Sequence, residues 1–192
     1  MDSIVSTMMT QLSSGDNLAA ISKSVGGDSN AVKSALGMGL PMLLGSMSNT
    51  ASKPGGADML AKMVAQTGGS SPLDNISGFL GSPAAAGGSG MLNSLLGSQL
   101  TPIQNAISQK TGLPPAVVGK VLAIAAPMVM GYVGKMFTQQ KMDTAGLTSL
   151  LGEQSKMALQ SSPEAASMAK QLLGAQEKAE GATGFLKKIF KG

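Results

Sequence analysis

Ile4, Val5, Met8, Met9 and Leu12 recur at the i, i+1, i+4, i+5, i+8 spacing of one helix face, which predicts an amphipathic helix over residues 3–12. Ser13 to Asn17 break the pattern, with Asp16 or Asn17 placed to cap a short second helix from Leu18 to Val25. Gly26 and Gly27 stop it. Asp28 or Ser29 then opens a third helix, where Val32, Leu36 and Leu40 recur every four residues and mark a buried face. After a turn from Ala51 to Gly56, Ala57 to Gln66 predict a fourth helix, with Met59, Leu60, Met63 and Val64 facing inward.

The periodicity then lapses. Residues 67–90 are rich in Gly, Ser and Pro, the composition of a linker, with Ile76, Phe79 and Leu80 as its one docking point. Met91 to Leu96 resume the helical spacing. Thr101-Pro102 reads as a cap-then-proline helix start, and Ile103 and Ile107 share one face up to Gly112. Pro114-Pro115 opens the most continuously apolar stretch of the chain, Val117 to Phe137. A short helix carrying Leu147, Leu150 and Leu151 follows, and Ser161-Ser162-Pro163-Glu164 opens another that runs to about Leu173 or further.

Two of these stretches correspond. Residues 21–47 lie over residues 107–133 at a constant offset of 86 with no gap, and eight of the 27 positions are identical. In a chain this rich in small residues, chance would supply roughly two. The pairs include Ser22/Ser108, Gly26/Gly112, Leu36/Leu122, Pro41/Pro127 and Gly45/Gly131, and they read as an internal duplication. Pro41 and Pro127 each lack an amide hydrogen and clash with the carbonyl four residues back, at Gly37 and Ala123. Each central helix is therefore expected to end or bend there. Gly39, Gly45, Ala125, Ala126 and Gly131 cluster around the prolines and let backbones approach closely.

The predicted fold is therefore all-α, with two related multi-helical repeats, each around a proline-bent apolar helix. The segments are an N-terminal repeat over 1–66, a Gly-rich linker over 67–90, a C-terminal repeat over 91–160 and a helical extension over 161–192. Only fourteen uncharged residues separate Lys120 from Lys135, short of the roughly 18 expected of a membrane span, so Val117 to Phe137 reads as a buried core helix.

Composition narrows the chemistry. The chain has 43% apolar residues, but four Phe, one Tyr and no Trp, so fifteen Met and the aliphatic residues must fill the core. It has no His, no Cys and no Arg. That removes the usual general base, thiolate chemistry, the commonest metal ligands and the bidentate fork for phosphate or guanine. No metal or cofactor is expected, and an enzyme is disfavoured. The net charge of +4 is modest. The opening MDSIVSTMMTQL has neither a basic start nor a long apolar run, so no signal peptide is read and a cytoplasmic location is expected.

The runs Gly112-Leu113-Pro114-Pro115-Ala116-Val117-Val118, Ala126-Pro127-Met128-Val129-Met130-Gly131 and Asp143 to Gly152 resemble the YidB-like family, a bacterial domain of unknown function (DUF937). The resemblance is clearest over residues 90–155 and extends over 10–65. Asp28-Ser29 departs from the pattern at the corresponding helix start, and residues beyond Pro163 lie outside it. It implies an all-helical fold and a bacterial origin. It implies no activity and no functional residues to carry over.

Three chemistries remain to be weighed. Residues 21–36 have the rhythm of a helix-turn-helix, and Ser29, Asn30 and Lys33 could face DNA. Their counterparts Pro115, Ala116 and Gly119 cannot read bases, so nucleic acid is disfavoured. Asp143, Glu153 and Glu164 have no spacing that places two carboxylates on one turn. The end of the chain is the remaining candidate, where Phe185 and Phe190 either fold back onto the chain's own core or form an outside contact. Phe185, Leu186, Ile189 and Phe190 make one helical face, and Lys187, Lys188 and Lys191 lie opposite, a pattern suited to a partner's groove or an anionic membrane, with the inner membrane as the surface concerned. The expected function is a self-associating interaction or scaffold protein, a homo-oligomer whose tail contacts a protein partner or a membrane. The alternative is a carrier of an apolar ligand or a peripheral membrane-binding protein, with a DNA-binding helix-turn-helix protein ranked below both.

Overall fold

The computed structural model describes residues 3–66, 72–82 and 87–168, and every regular element in them is helical. The helices are α1 (Ile4–Leu12), α2 (Gly15–Val25), α3 (Ser29–Ala51), α4 (Gly56–Gln66), α5 (Ile76–Leu80), α6 (Gly88–Leu96), α7 (Leu100–Thr111), α8 (Pro115–Gln139) and α9 (Thr144–Ser161). Turns of 3-10 helix, Pro72–Asn75 and Gly97–Gln99, lead into α5 and α7. The chain is helical again over 163–168, where Ala165 and Met168 are buried.

Local chemistry sets most boundaries. The Asp28 carboxylate accepts hydrogen bonds from the Asn30 and Ala31 amides at 2.9 and 3.1 Å, which satisfies two of the free donors at the start of α3. Asp143 does the same for α9 through the Gly146 amide at 2.7 Å. Gly26 and Gly112 end α2 and α7 in the left-handed region, φ 75° and 73°, where a Cβ is disfavoured. The start of α2 differs from the expectation. Ser14 is its N-cap and Gly15 its first residue, so Asp16 lies inside the first turn and Asn17 donates to the Gln11 carbonyl at 2.9 Å. Asp16 there still meets the positive end of the helix dipole.

Neither proline ends its helix. α3 runs 23 residues through Pro41 and α8 runs 25 through Pro127. Burial explains why. Met38 to Leu44 and Val121 to Met130 are all buried, and packing on every side outweighs the missing hydrogen bond and the steric cost of a proline inside a helix, about 3 kcal/mol. α8 is long and apolar enough to cross a membrane by composition, but 72% of its most apolar window is buried inside the protein.

α3 and α8 cross at the centre. α9 lies along α3, α6 lies along α8, and α7 packs on both central helices. α1 packs on α3 and α9, and α4 on α3, α8 and α9, so helices from either half of the chain share a single hydrophobic cluster. The central crossing is close: a Cβ at Gly39 would sit 2.5 Å from Cδ2 of Leu122. α6 approaches α8 more closely still, since a Cβ at Gly88 would run into the Ala123 carbonyl oxygen. That carbonyl is the one Pro127 cannot bond, so the backbone of α6 fits where α8 has a free acceptor.

Within residues 67–90 the structure describes 72–82 and 87–90. Leu73, Ile76 and Phe79 are buried there, with Leu80 packed partly against them, so the expected docking point at Ile76, Phe79 and Leu80 is occupied and extended by Leu73. Two expectations need correction. Met59 is 41% exposed, because Leu60 and Val64 define the inner face of α4 and Met59 lies about 100° away from Leu60. α9 is not short: it spans 18 residues, since Gln154, Ser155 and Ala158 continue its buried side past Leu151.

Candidate functional site

A wide opening lies where the end of α8, the first half of α9 and α1 meet. It holds about 600 Å³ and is lined by Thr7 of α1, Tyr132 and Met136 of α8, Gln140 and Met142 of the connecting turn, and Gly146, Ser149, Leu150, Glu153 and Gln154 of α9. Tyr132, Met136, Met142 and Leu150 are half-buried, so their apolar surface is shared between the core and solvent. Helical spacing produces this: Leu147 and Leu151 face the core, and Leu150 lies beside them on the edge.

The floor is fixed by an unexpected side chain. Gln154 is 4% exposed, and its Oε1 accepts from the Ile4 amide at 2.7 Å, joining residues 150 positions apart. It thereby satisfies a free donor at the start of α1, a task the N-cap Ser3 does not perform. The Ser3 hydroxyl is itself buried without a partner among the described residues. Gln154 also lines the groove. Nothing in the local sequence flagged Gln154. Its only signal was its position, seven residues after Leu147 on the same helix face.

The turn at the groove's edge is closed tightly. The Met142 amide donates to the Phe137 carbonyl at 3.1 Å and Lys141 to Thr138 at 3.3 Å, with Lys141 in the left-handed region at φ 46°. Glycine is the usual residue in such a cap.

Smaller clefts lie elsewhere among the described residues. One of about 320 Å³ runs beside the α3 proline, lined by Pro41, Met42, Gly45, Ile103, Ser155 and Leu159 among others. Another, of about 380 Å³, lies between α2, α6, α7 and α8, with Lys120, Gln104 and Asn93 at its edge. Among the described residues no group of three carboxylates gathers to hold a metal.

The residues weighed as chemistry have other places. Asn30 and Lys33 are exposed on the first turns of α3, but Ala35, Leu36 and Met38 to Leu44 beyond them are core. Asp143 caps α9, while Glu153 and Glu164 are exposed. The candidate contact residues Phe185, Leu186, Lys187, Lys188, Ile189, Phe190 and Lys191 lie outside the described residues.

This geometry defines an all-helical module with two long central helices, each carrying an interior proline, and an open groove of mixed polar and apolar lining at the α8–α9 turn. The chain belongs to the family described as "Bacterial protein of unknown function (DUF937)", whose model matches residues 7–136. The match takes in α2 and α3 as well as α7 and most of α8, and it ends before the Asp143 to Gly152 run that forms part of the resemblance. No curated protein and no solved structure matches the chain.

Proposed function

We propose that this chain is a non-enzymatic interaction or scaffold protein that self-associates. The observation that carries the reading is the groove at the α8–α9 turn. It leaves Tyr132, Met136, Met142 and Leu150 partly open to solvent within a lining that also carries Thr7, Gln140, Ser149, Glu153 and Gln154. Methionine and tyrosine adapt to varied partner surfaces and recur at protein contacts.

We also read the chain as two copies of a four-helix unit. Shifted by 86 residues, α6, α7, α8 and α9 would begin at 2, 14, 29 and 58, and α1, α2, α3 and α4 begin at 4, 15, 29 and 56. Related units present related surfaces, which favours symmetric association.

Sedimentation velocity over a wide concentration range tests the reading. The expected result is a concentration-dependent shift toward larger species that Leu150→Lys suppresses. A single monomeric species at every concentration would overturn it. The cleft beside Pro41 favours a second reading, a carrier of an apolar ligand, because its volume of about 320 Å³ is of the order small-molecule sites occupy. Native mass spectrometry of the protein purified from its own cell checks this, and a bare polypeptide mass removes it.

A further inference from the structure

We infer that the groove at the α8–α9 turn is the docking site for residues 185–191 of this chain. The inference rests on the groove described above, whether the segment comes from the same copy or a neighbouring one.

The chemistry of the two parts is complementary. Glu153 is the one charged residue among the described residues that line the groove. The segment carries Lys187, Lys188 and Lys191 and no acidic residue. Its Phe185, Leu186, Ile189 and Phe190 fall on one face at helical spacing, and the groove offers Met136, Met142 and Tyr132 to receive them. Sulfur against an aromatic ring adds about 0.3–1.5 kcal/mol per contact, so methionine-lined grooves suit aromatic anchors. Phe185, Leu186, Ile189 and Phe190 stand at i, i+1, i+4 and i+5, a spacing that would place them on one side of a helix laid into a groove.

Reach is not limiting. Sixteen residues separate Met168 from Phe185 and can span about 50 Å when extended, against a radius of gyration of about 15 Å for a domain of this size.

The absence of cysteine gives a clean test in the full chain. Leu150→Cys paired with Phe190→Cys is oxidised beside a control pair, Met59→Cys with Phe190→Cys, whose first position is exposed on α4. Docking raises the effective concentration of the two thiols, so the groove pair should close at least about tenfold faster than the control. Glu153→Lys should slow that closure several-fold, and adding Lys187→Glu with Lys188→Glu should restore it.

Equal rates for the two pairs would overturn the inference. So would an unchanged rate after Glu153→Lys. The gel separates this outcome from the fate of the proposed function. Closure within one chain, in a protein that sediments as a monomer, upholds docking and removes self-association. Slow closure in a protein that still associates does the reverse.

Discussion

α3 and α8 are the two long central helices, and they solve the same problem differently. Both are long, both are buried through their middles, and both carry a proline at the same offset. α3 begins with a carboxylate that bonds two of its own amides, whereas α8 begins with Pro114 and Pro115 and has no side-chain cap. At its middle α3 meets its neighbour through a glycine facing a flexible leucine. α8 meets α6 backbone to backbone, at Gly88 and the Ala123 carbonyl. The contrast shows that a shared pattern of apolar residues specifies where a helix goes, while small residues on its neighbours decide how close it comes.

The sharpest way to break this comparison is to add one methyl group at each crossing. Gly88→Ala should destabilise by about 3 kcal/mol, because a rigid backbone carbonyl must move. Gly39→Ala should cost about 1 kcal/mol, since a leucine methyl can rotate away. Urea unfolding at constant slope measures both. Equal losses would mean that the two crossings are equally tight.

A middle-sized effect tests the tie between the halves. Gln154→Leu keeps the volume but leaves the Ile4 amide without its acceptor, which should cost about 2 kcal/mol. Amide exchange should quicken in α1 before it does so in α3. Uniform exchange would show that Gln154 is not what holds α1 in place.

Helix starts give the next contrast. Asp28→Ala should cost about 1 kcal/mol, the usual loss of an N-cap. Pro114→Ala should cost about 0.5 kcal/mol, because its contribution is mainly the stiffness of the unfolded chain. Thermal unfolding of the two variants compares them directly.

The smallest predicted effect concerns one residue type in two settings. Ser108 donates to the Leu113 carbonyl at 2.6 Å, whereas the Ser22 hydroxyl is buried with no partner among the described residues. Ser108→Ala should therefore cost about 1 kcal/mol and Ser22→Ala roughly nothing. Equal costs would place an unseen partner at Ser22.

Much of this fold was legible along the chain. Alternation of apolar residues at three and four positions located the helices, because a helix that buries one face must repeat its apolar residues with its turn. Asp28, Gly26, Gly112 and Pro115 set boundaries through chemistry that acts within a few residues. Glycines and alanines around the two prolines announced close packing without naming the partner.

Other features were not local. Met59 and Leu60 are adjacent apolar residues on α4, and only the position of α3 decides that the second is inside. Gln154 reads as an ordinary polar residue until α1 brings the Ile4 amide against it. Gly88, in a stretch whose composition suggested only a linker, proves to lie against the core helix. The groove has the same character: Tyr132, Met142 and Leu150 belong to different elements and meet only when the turn after α8 folds back. The sequence by itself determined which segments are helical and which faces are apolar, since backbone hydrogen bonding and side-chain period act over a few residues. Only the tertiary structure decided which apolar face found a neighbour and which was left open, because burial depends on contacts between residues far apart in the chain.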